Sequence, residues 1–314
     1  MAVSRAPRVI IGPAQPGFAV EAVRRGGGTV VEMGEPAEAL IWTTWWDVAK
    51  GLREVLAAQP GLQWVQLPMA GVERVGEAGL FADPVASHVT WTCAKGAYAE
   101  PVAEHALALA LAGLRRLPER ARASSWGSPA GSSLYDERVT IIGGGGITRA
   151  LLQLLHPLRV RAVVVRKNPD PLDGAERTVA TAELRDNLSD ALVVFVALAL
   201  TPETVRIISG EEMAAMSRGS WLVNVARGRH VDTVALATAL QEGSIGGAAL
   251  DVTDPEPLPD GHPLWSLPNC LITPHTADTE EMTRPLLARR ITENVERFAA
   301  GKPLVGLVDP RAGY

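Results

Sequence analysis

Short apolar runs separated by helical patterns recur along the chain. In the first hundred residues the runs are Arg8-Val-Ile-Ile-Gly12, Thr29-Val-Val31, Ala39-Leu-Ile-Trp-Thr43, Trp64-Val-Gln-Leu67 and His88-Val-Thr-Trp91. A second series begins at Val139-Thr-Ile-Ile142 and continues through Ala162-Val-Val-Val165, Ala191-Leu-Val-Val-Phe-Val196, Trp221-Leu-Val-Asn-Val225, Ala248-Ala-Leu250 and Leu271-Ile272. Buried strands alternating with helices predict βαβ units on parallel sheets. The two series predict two α/β units, the second longer and of nucleotide-binding type. Between them, Pro101 to Leu117 reads as a helix, with proline in its first turn and Glu104 near its positive end. A last long helix is predicted over about Glu280 to Ala300, after the final strand. Ser124 to Ser133 is a Gly/Ser/Pro-rich loop, and no internal repeat is present.

Three ionisable residues sit just past apolar runs of the second series. Arg227 follows Trp221 to Ala226, Glu256 lies beyond Ala248 to Val252, and His275 closes Cys270-Leu-Ile-Thr-Pro-His275. In a doubly wound sheet, residues beyond the carboxyl ends of neighbouring strands converge on one crevice. A guanidinium there grips a carboxylate with two prongs and polarises an adjacent carbonyl. An imidazole delivers or removes a proton, and a carboxylate beside it holds it charged. That is equipment for hydride chemistry on a 2-oxo or 2-hydroxy acid. Singly, each residue has a plainer reading as a solvated strand end, a surface acid or a turn residue.

Gly143-Gly-Gly-Gly-Ile-Thr148 follows a predicted strand and precedes a helical stretch, Arg149 to His156. Gly143 and Gly145 permit a tight turn and close backbone approach to a pyrophosphate, with Gly146 and Ile147 leading into the helix whose N-terminus would face it. About twenty residues on, where an acid would hold the ribose 2′-hydroxyl of NAD, stand Arg166 and Lys167. A basic pair favours a 2′-phosphate, so NADP(H) is the preferred cofactor. NAD(H) remains open if the pair is only a solvated strand end.

A chain of 314 residues usually divides into two domains, and 47% apolar with 21% charged residues is ordinary globular composition. The formal net charge of -5 argues against a general binder of nucleic acid or anionic membranes. The Val-Ile-Ile run after Arg8 is too short for a signal sequence, and the apolar stretch from Ala106 to Leu114 stops at Arg115-Arg116. A cytoplasmic location is therefore expected. Cys93 and Cys270 are isolated, without the spacing of a zinc site, and predict neither disulfide nor metal.

Beyond these separate signals, the order and wording of the segments resemble the D-isomer-specific 2-hydroxyacid dehydrogenase family, including its glyoxylate/hydroxypyruvate reductases and phosphoglycerate dehydrogenase-like members. The likeness rests on Met69-Ala-Gly-Val-Glu73, Lys95-Gly-Ala-Tyr98, Pro101-Val-Ala-Glu-His105, Leu200-Thr-Pro-Glu-Thr204, Asn224-Val-Ala-Arg-Gly228, Leu250-Asp-Val252, Glu256-Pro-Leu258, Thr273-Pro-His275, Gly301-Lys-Pro-Leu304 and Gly313-Tyr314. It covers nearly the whole chain.

The resemblance implies two Rossmann-like parallel-sheet domains with a cleft between them. Residues 1–99 and 283–314 would form a discontinuous substrate domain, residues 100–282 the dinucleotide-binding domain, and the latter most of a homodimer interface. Arg227, Glu256 and His275 stand where the family carries its catalytic groups. Ala70 and Gly71 stand where it offers backbone N–H groups to the substrate carboxylate, a place that needs small residues. Thr201, Thr204 and Asp251 match positions near the cofactor. Thr148 departs from the pattern: the third glycine usually found there lets helix and strand pack closely, and a β-branched residue is expected to widen the gap or shift the helix.

Trp42, Trp45 and Trp46 form an aromatic cluster, with core packing expected for at least two and the substrate side open to one. Cys93 stands where many relatives have Asn. A compact 2-oxoacid such as glyoxylate or hydroxypyruvate is the implied substrate; formate dehydrogenases fit less well, because they usually pair their histidine with Gln where this chain offers Glu256. The alternative is a dinucleotide-sensing binding protein, resembling transcriptional corepressors of this fold, with weak or no turnover.

Overall fold

The computed structural model describes residues 6–45 and 48–310. Trp46 and the closing Gly313-Tyr314 lie outside the described residues. The chain forms two compact units, Met1–Tyr98 with Thr279–Tyr314, and Ala99–Asp278.

In the first unit the elements run β1 (Arg8–Gly12), α1 (Gly17–Arg25), β2 (Thr29–Val31), β3 (Ala39–Trp42), α2 (Val48–Ala58), β4 (Trp64–Gln66), α3 (Glu73–Glu77) and β5 (Thr90–Thr92). All five strands are parallel, in the order β2-β1-β3-β4-β5. Ile10, Leu40, Val65 and Trp91 face one side with Leu52 and Leu56 of α2. Val9, Ile11, Ile41 and Trp64 face the other with Ala22 and Val23 of α1. Burial of both faces explains why these strands read as continuous apolar runs without alternation. Trp42 joins the core, whereas Trp45 is largely exposed near the ring of Tyr98.

The second unit runs α4 (Ala99–Leu114), α5 (Leu117–Ala121), β6 (Arg138–Ile142), α6 (Gly146–Leu155), β7 (Arg161–Arg166), β8 (Arg177–Ala180), β9 (Val193–Val196), α7 (Gly210–Ala215), β10 (Trp221–Asn224), α8 (Thr233–Glu242), β11 (Gly247–Leu250) and β12 (Cys270–Ile272). Its seven strands are parallel, in the order β12-β11-β10-β9-β6-β7-β8. The order reverses between β9 and β6, and a ligand crevice forms at the carboxyl ends of strands flanking such a reversal. Strand β8 escapes the hydrophobic reading because Arg177-Thr-Val-Ala180 is an edge with only Val179 buried. Helix α4 stops at Leu114, short of the expected Leu117, where Arg116 turns left-handed at φ 53°.

The last helix, α9 (Glu280–Ala299), packs Leu287, Ile291 and Val295 into the core of the first unit. Among the described residues no helix is long and apolar enough to cross a membrane.

Candidate active site

Strand β6 delivers the chain to Gly143, where φ is 111° and a Cβ would lie 2.2 Å from Ala197 O at the end of β9. Only glycine fits, because both the backbone region and the approach exclude a side chain. At Gly145 the backbone is extended and a Cβ would meet nothing within 4 Å, so this N-cap of α6 is open to a ligand. Gly146 and Ile147 open α6, whose first N–H groups and positive end face outward from the turn. A cradle of this form fits a dinucleotide pyrophosphate. Thr148 is fully buried and its hydroxyl donates to Gly143 O at 2.8 Å. The residue in the third-glycine position therefore ties the turn to the helix.

Arg166 ends β7 and lies over the same turn: a Cβ on Gly144 would be 2.7 Å from Arg166 Cδ and 2.9 Å from its Nε. Among the described residues its guanidinium forms no ion pair or hydrogen bond. Lys167 is exposed and its charge reaches Glu203, whose carboxyl is held low first by the Thr201 hydroxyl, then by its own backbone and, more weakly, by Lys167. Thr201 and Thr204 organise their turn: Thr201 Oγ1 donates to Glu203 Oε2 at 2.7 Å and Thr201 N–H to Thr204 Oγ1 at 2.8 Å.

Arg227, Glu256 and His275 also belong to the second unit, past the carboxyl ends of β10, β11 and β12. Asn224 shapes the first turn, accepting from Ala226 N–H at 3.0 Å and donating to Arg227 O at 2.9 Å. Gly228 follows because a Cβ would stand 1.9 Å from Thr253 O, which packs the Arg227 turn against the segment leading to Glu256. Arg227 is half-buried, with Nη1 donating to Ala226 O at 2.7 Å.

His275 is held in the left-handed region at φ 51°, its N–H shared between Asp251 O at 2.8 Å and Thr273 O at 3.0 Å. A non-glycine residue there is strained and persists where its surroundings over-determine it. The Nδ1 atom lies 2.7 Å from Glu256 Oε1. That hydrogen bond, opposed by burial and supported by the Glu256 charge, raises the His275 pKa, while the Arg227 charge lowers it. Burial pushes Glu256 up, but the hydrogen bond and charge of His275, a backbone bond from Thr253 and the Arg227 charge outweigh it and hold the carboxyl below its usual value. The three groups thus form an electrostatically coupled set.

Asp251 is buried, its carboxylate surrounded by protein donors: Thr273 Oγ1 at 2.6 Å, Thr276 N–H at 2.9 Å, Ala277 N–H at 3.1 Å and His105 Nε2 at 3.3 Å. The residue matched to a cofactor position anchors the loop carrying His275. His105 and Thr273 close and open the segments Pro101-Val-Ala-Glu-His105 and Thr273-Pro-His275, but nothing in those segments taken singly points to this contact. Asp278, also without a role in the sequence reading, is half-buried; burial raises its carboxyl pKa despite the charges of His275 and Arg227.

In the first unit the loop after β4 presents Ala70 and Gly71. Its carbonyls are tied back, Pro68 O by Tyr98 OH at 2.5 Å, Met69 O by Ala94 N–H at 2.8 Å and Ala70 O by Cys93 Sγ at 3.4 Å. Among the described residues the N–H groups of Ala70 and Gly71 find no protein acceptor. Cys93 is buried and burial raises its thiol pKa; burial takes Cys270 up to about 12.

Residues 105–277, more than half of the chain, match the family described as D-isomer specific 2-hydroxyacid dehydrogenase, NAD binding domain. The chain belongs to the D-isomer specific 2-hydroxyacid dehydrogenase family. It is thus a nicotinamide-dependent oxidoreductase of the 2-hydroxyacid dehydrogenase class. An uncharacterized protein in the proB 3′ region of Corynebacterium melassecola is 39% identical over 259 residues, covering 81% of this chain and 84% of that one. The human glyoxylate reductase/hydroxypyruvate reductase is 35% identical over 213 residues, 64% of each chain. A glycerate dehydrogenase of Methylorubrum extorquens is 36% identical over 165 residues, 52% of this chain and 50% of its own. The chain thus matches half to just under two thirds of these relatives with named activities. A D-isomer specific 2-hydroxyacid dehydrogenase from Xanthobacter autotrophicus Py2, solved with NADPH and MES, superposes with a TM-score of 0.83 at 29% identity, covering 99% of this chain and 100% of that one.

Proposed function

We propose that this family member moves a hydride between NADP(H) and a compact 2-oxo/2-hydroxy acid of the glyoxylate or hydroxypyruvate kind. The observation that carries the reading is the 2.7 Å pairing of His275 Nδ1 with Glu256 Oε1 beside Arg227. Bound nicotinamide supplies the carbon that gives or takes the hydride. Arg227 holds the substrate carboxylate in its fork and polarises the carbonyl. With Nδ1 engaged by Glu256, His275 offers Nε2, which gives a proton to the carbonyl oxygen in reduction and removes it from the hydroxyl in oxidation. Glu256 orients that imidazole and favours its charged form. The N–H groups of Ala70 and Gly71, without an acceptor among the described residues, support the proposal that this loop donates to a carboxylate.

For the cofactor, Gly143, Gly145, Gly146 and Ile147 receive the pyrophosphate, Thr201, Thr204 and Asp251 shape the surroundings, and Arg166 with Lys167 meets a 2′-phosphate. The Arg166 guanidinium over Gly144, without an ion pair or hydrogen bond among the described residues, supports NADP(H); NAD(H) is the second candidate. The resemblance supports a first unit serving as substrate domain, a homodimer built largely from the second unit and a cytoplasmic setting. A panel of 2-oxoacids assayed with NADPH and NADH tests the proposal. Turnover of glyoxylate or hydroxypyruvate with NADPH is expected. Tight dinucleotide binding with no turnover on any 2-oxoacid would replace it by a sensing role.

A further inference from the structure

Four interactions from residues 273–277 end on Asp251. Its Oδ1 accepts from Thr273 Oγ1 and Thr276 N–H, its Oδ2 from Ala277 N–H, and its carbonyl from the N–H of His275. This is the set that holds His275 at its left-handed φ. Every one of these donors lies on the loop itself, so the carboxylate needs a support from elsewhere to fix its own position. That support comes from α4. His105 Nε2 lies 3.3 Å from Asp251 Oδ1 and 3.1 Å from Thr273 Oγ1.

The protonation follows from the hydrogen-bond arithmetic. The single hydroxyl hydrogen of Thr273 goes to the Asp251 carboxylate at 2.6 Å, so Thr273 Oγ1 can only accept from the imidazole. His105 therefore carries its proton on Nε2 and shares it between the hydroxyl and the carboxylate. Its own side chain is 22% exposed against 1% for Asp251, so it links a buried charge to the protein surface.

We propose that His105 is a positioning residue for the acid/base group: through Asp251 and Thr273 it fixes the 273–277 loop and keeps the Asp251 charge in place behind His275. The inference rests on His275 being the acid/base residue. The charged and titratable groups around that imidazole are Glu256, Arg227, Asp251 and Asp278. Glu256 is its direct partner and Asp251 adds a smaller upward push, so His105 acts through the second of these. The bonds from His105 and Thr273 help hold the Asp251 carboxyl low against burial.

The test is His105→Ala beside His105→Gln, because the Gln amide nitrogen reaches about as far as Nε2 and donates as it does. Two readouts are taken on the full chain: the kcat/KM profile for glyoxylate reduction with NADPH against pH, and the His275 titration by imidazole NMR. With six histidines in the sequence the latter is resolvable. His105→Ala is expected to lower the His275 pKa by a few tenths of a unit, less than loss of the Glu256 charge would, because the released loop carries the imidazole away from the still-ionised Asp251. It should also reduce kcat about tenfold, by releasing the loop geometry. His105→Gln should restore most of both. A merely structural His105 would change the amount of folded protein and leave the His275 titration where it was. An unmoved titration in folded His105→Ala, or His105→Gln no closer to wild type than His105→Ala, overturns the proposal. A shifted titration in a protein whose kinetics ignore His275→Ala sustains the positioning role and refutes the catalytic reading instead.

Discussion

Replacing Glu256 by Gln removes a charge from the site and leaves an oxygen that can still accept from His275. The His275 and Glu256 side chains are 42% and 36% exposed, so water screens their attraction. Exposed ion pairs contribute about 0.2 to 1 kcal/mol, and this short contact beside a half-buried Arg227 belongs at the upper end. One pKa unit corresponds to about 1.4 kcal/mol, so Glu256→Gln should lower the His275 pKa by about half to three quarters of a unit. Reduction requires protonated His275 and fades as pH rises through that pKa. The alkaline limb of kcat/KM for glyoxylate reduction should therefore move to lower pH by the same amount. Oxidation requires the neutral imidazole, and its acid limb should move the same way.

Linkage has a matching sign. His275, raised in the folded state, contributes stability below its unfolded pKa and loses it as pH rises through the folded value. Glu256, depressed in the folded state, contributes above its unfolded pKa and loses it as pH falls through the folded value. The pair thus supports the fold between the two carboxylate and imidazole limits. Chemical denaturation across pH should show Glu256→Gln converging on wild type outside that window. Alkaline limbs that coincide in the two proteins would refute the coupling of Glu256 to the titrating group.

Three further substitutions bear on the site. His275→Ala should cost roughly a hundredfold to ten-thousandfold in kcat, the scale of a positioned acid/base group, and near wild-type turnover would remove His275 from the mechanism. Arg227→Lys keeps the charge but loses the fork, so steady-state kinetics should show KM raised and kcat lowered together; unchanged values would make the arginine structural. Arg166→Asp should reverse a preference for NADPH that is about tenfold to hundredfold in affinity, since a hydrogen bond to a charged partner contributes roughly 1.5 to 3 kcal/mol. Equal use of both cofactors by the wild type, or an NADH preference that survives Arg166→Ala, would end that assignment.

The apolar pattern alone locates the stretches of chain that run through buried sheet. Val139 to Ile142 and Val193 to Val196 carry side chains that must leave water on both faces, and no solvent-facing position interrupts them. Residue order also sets the kind of chemistry available, because Arg227, Glu256 and His275 follow strand runs and Gly143 sits between strand and helix. Strand β8 was illegible, since an edge buries only Val179 and its polar neighbours carry no periodic signal. The reach of Arg166 over Gly144, the Thr148 hydroxyl closing the glycine turn and the enclosure of Asp251 by His105 and the 273–277 loop were decided only by tertiary structure. Each joins residues whose separation along the chain holds no information about their distance in space. Hydrophobic pattern is a local record of which side chains are buried. Strand order, loop path and side-chain direction are set by packing among distant segments, and a carboxylate such as Asp251 reads the same in sequence whether it faces a ligand or ties down the loop beside it.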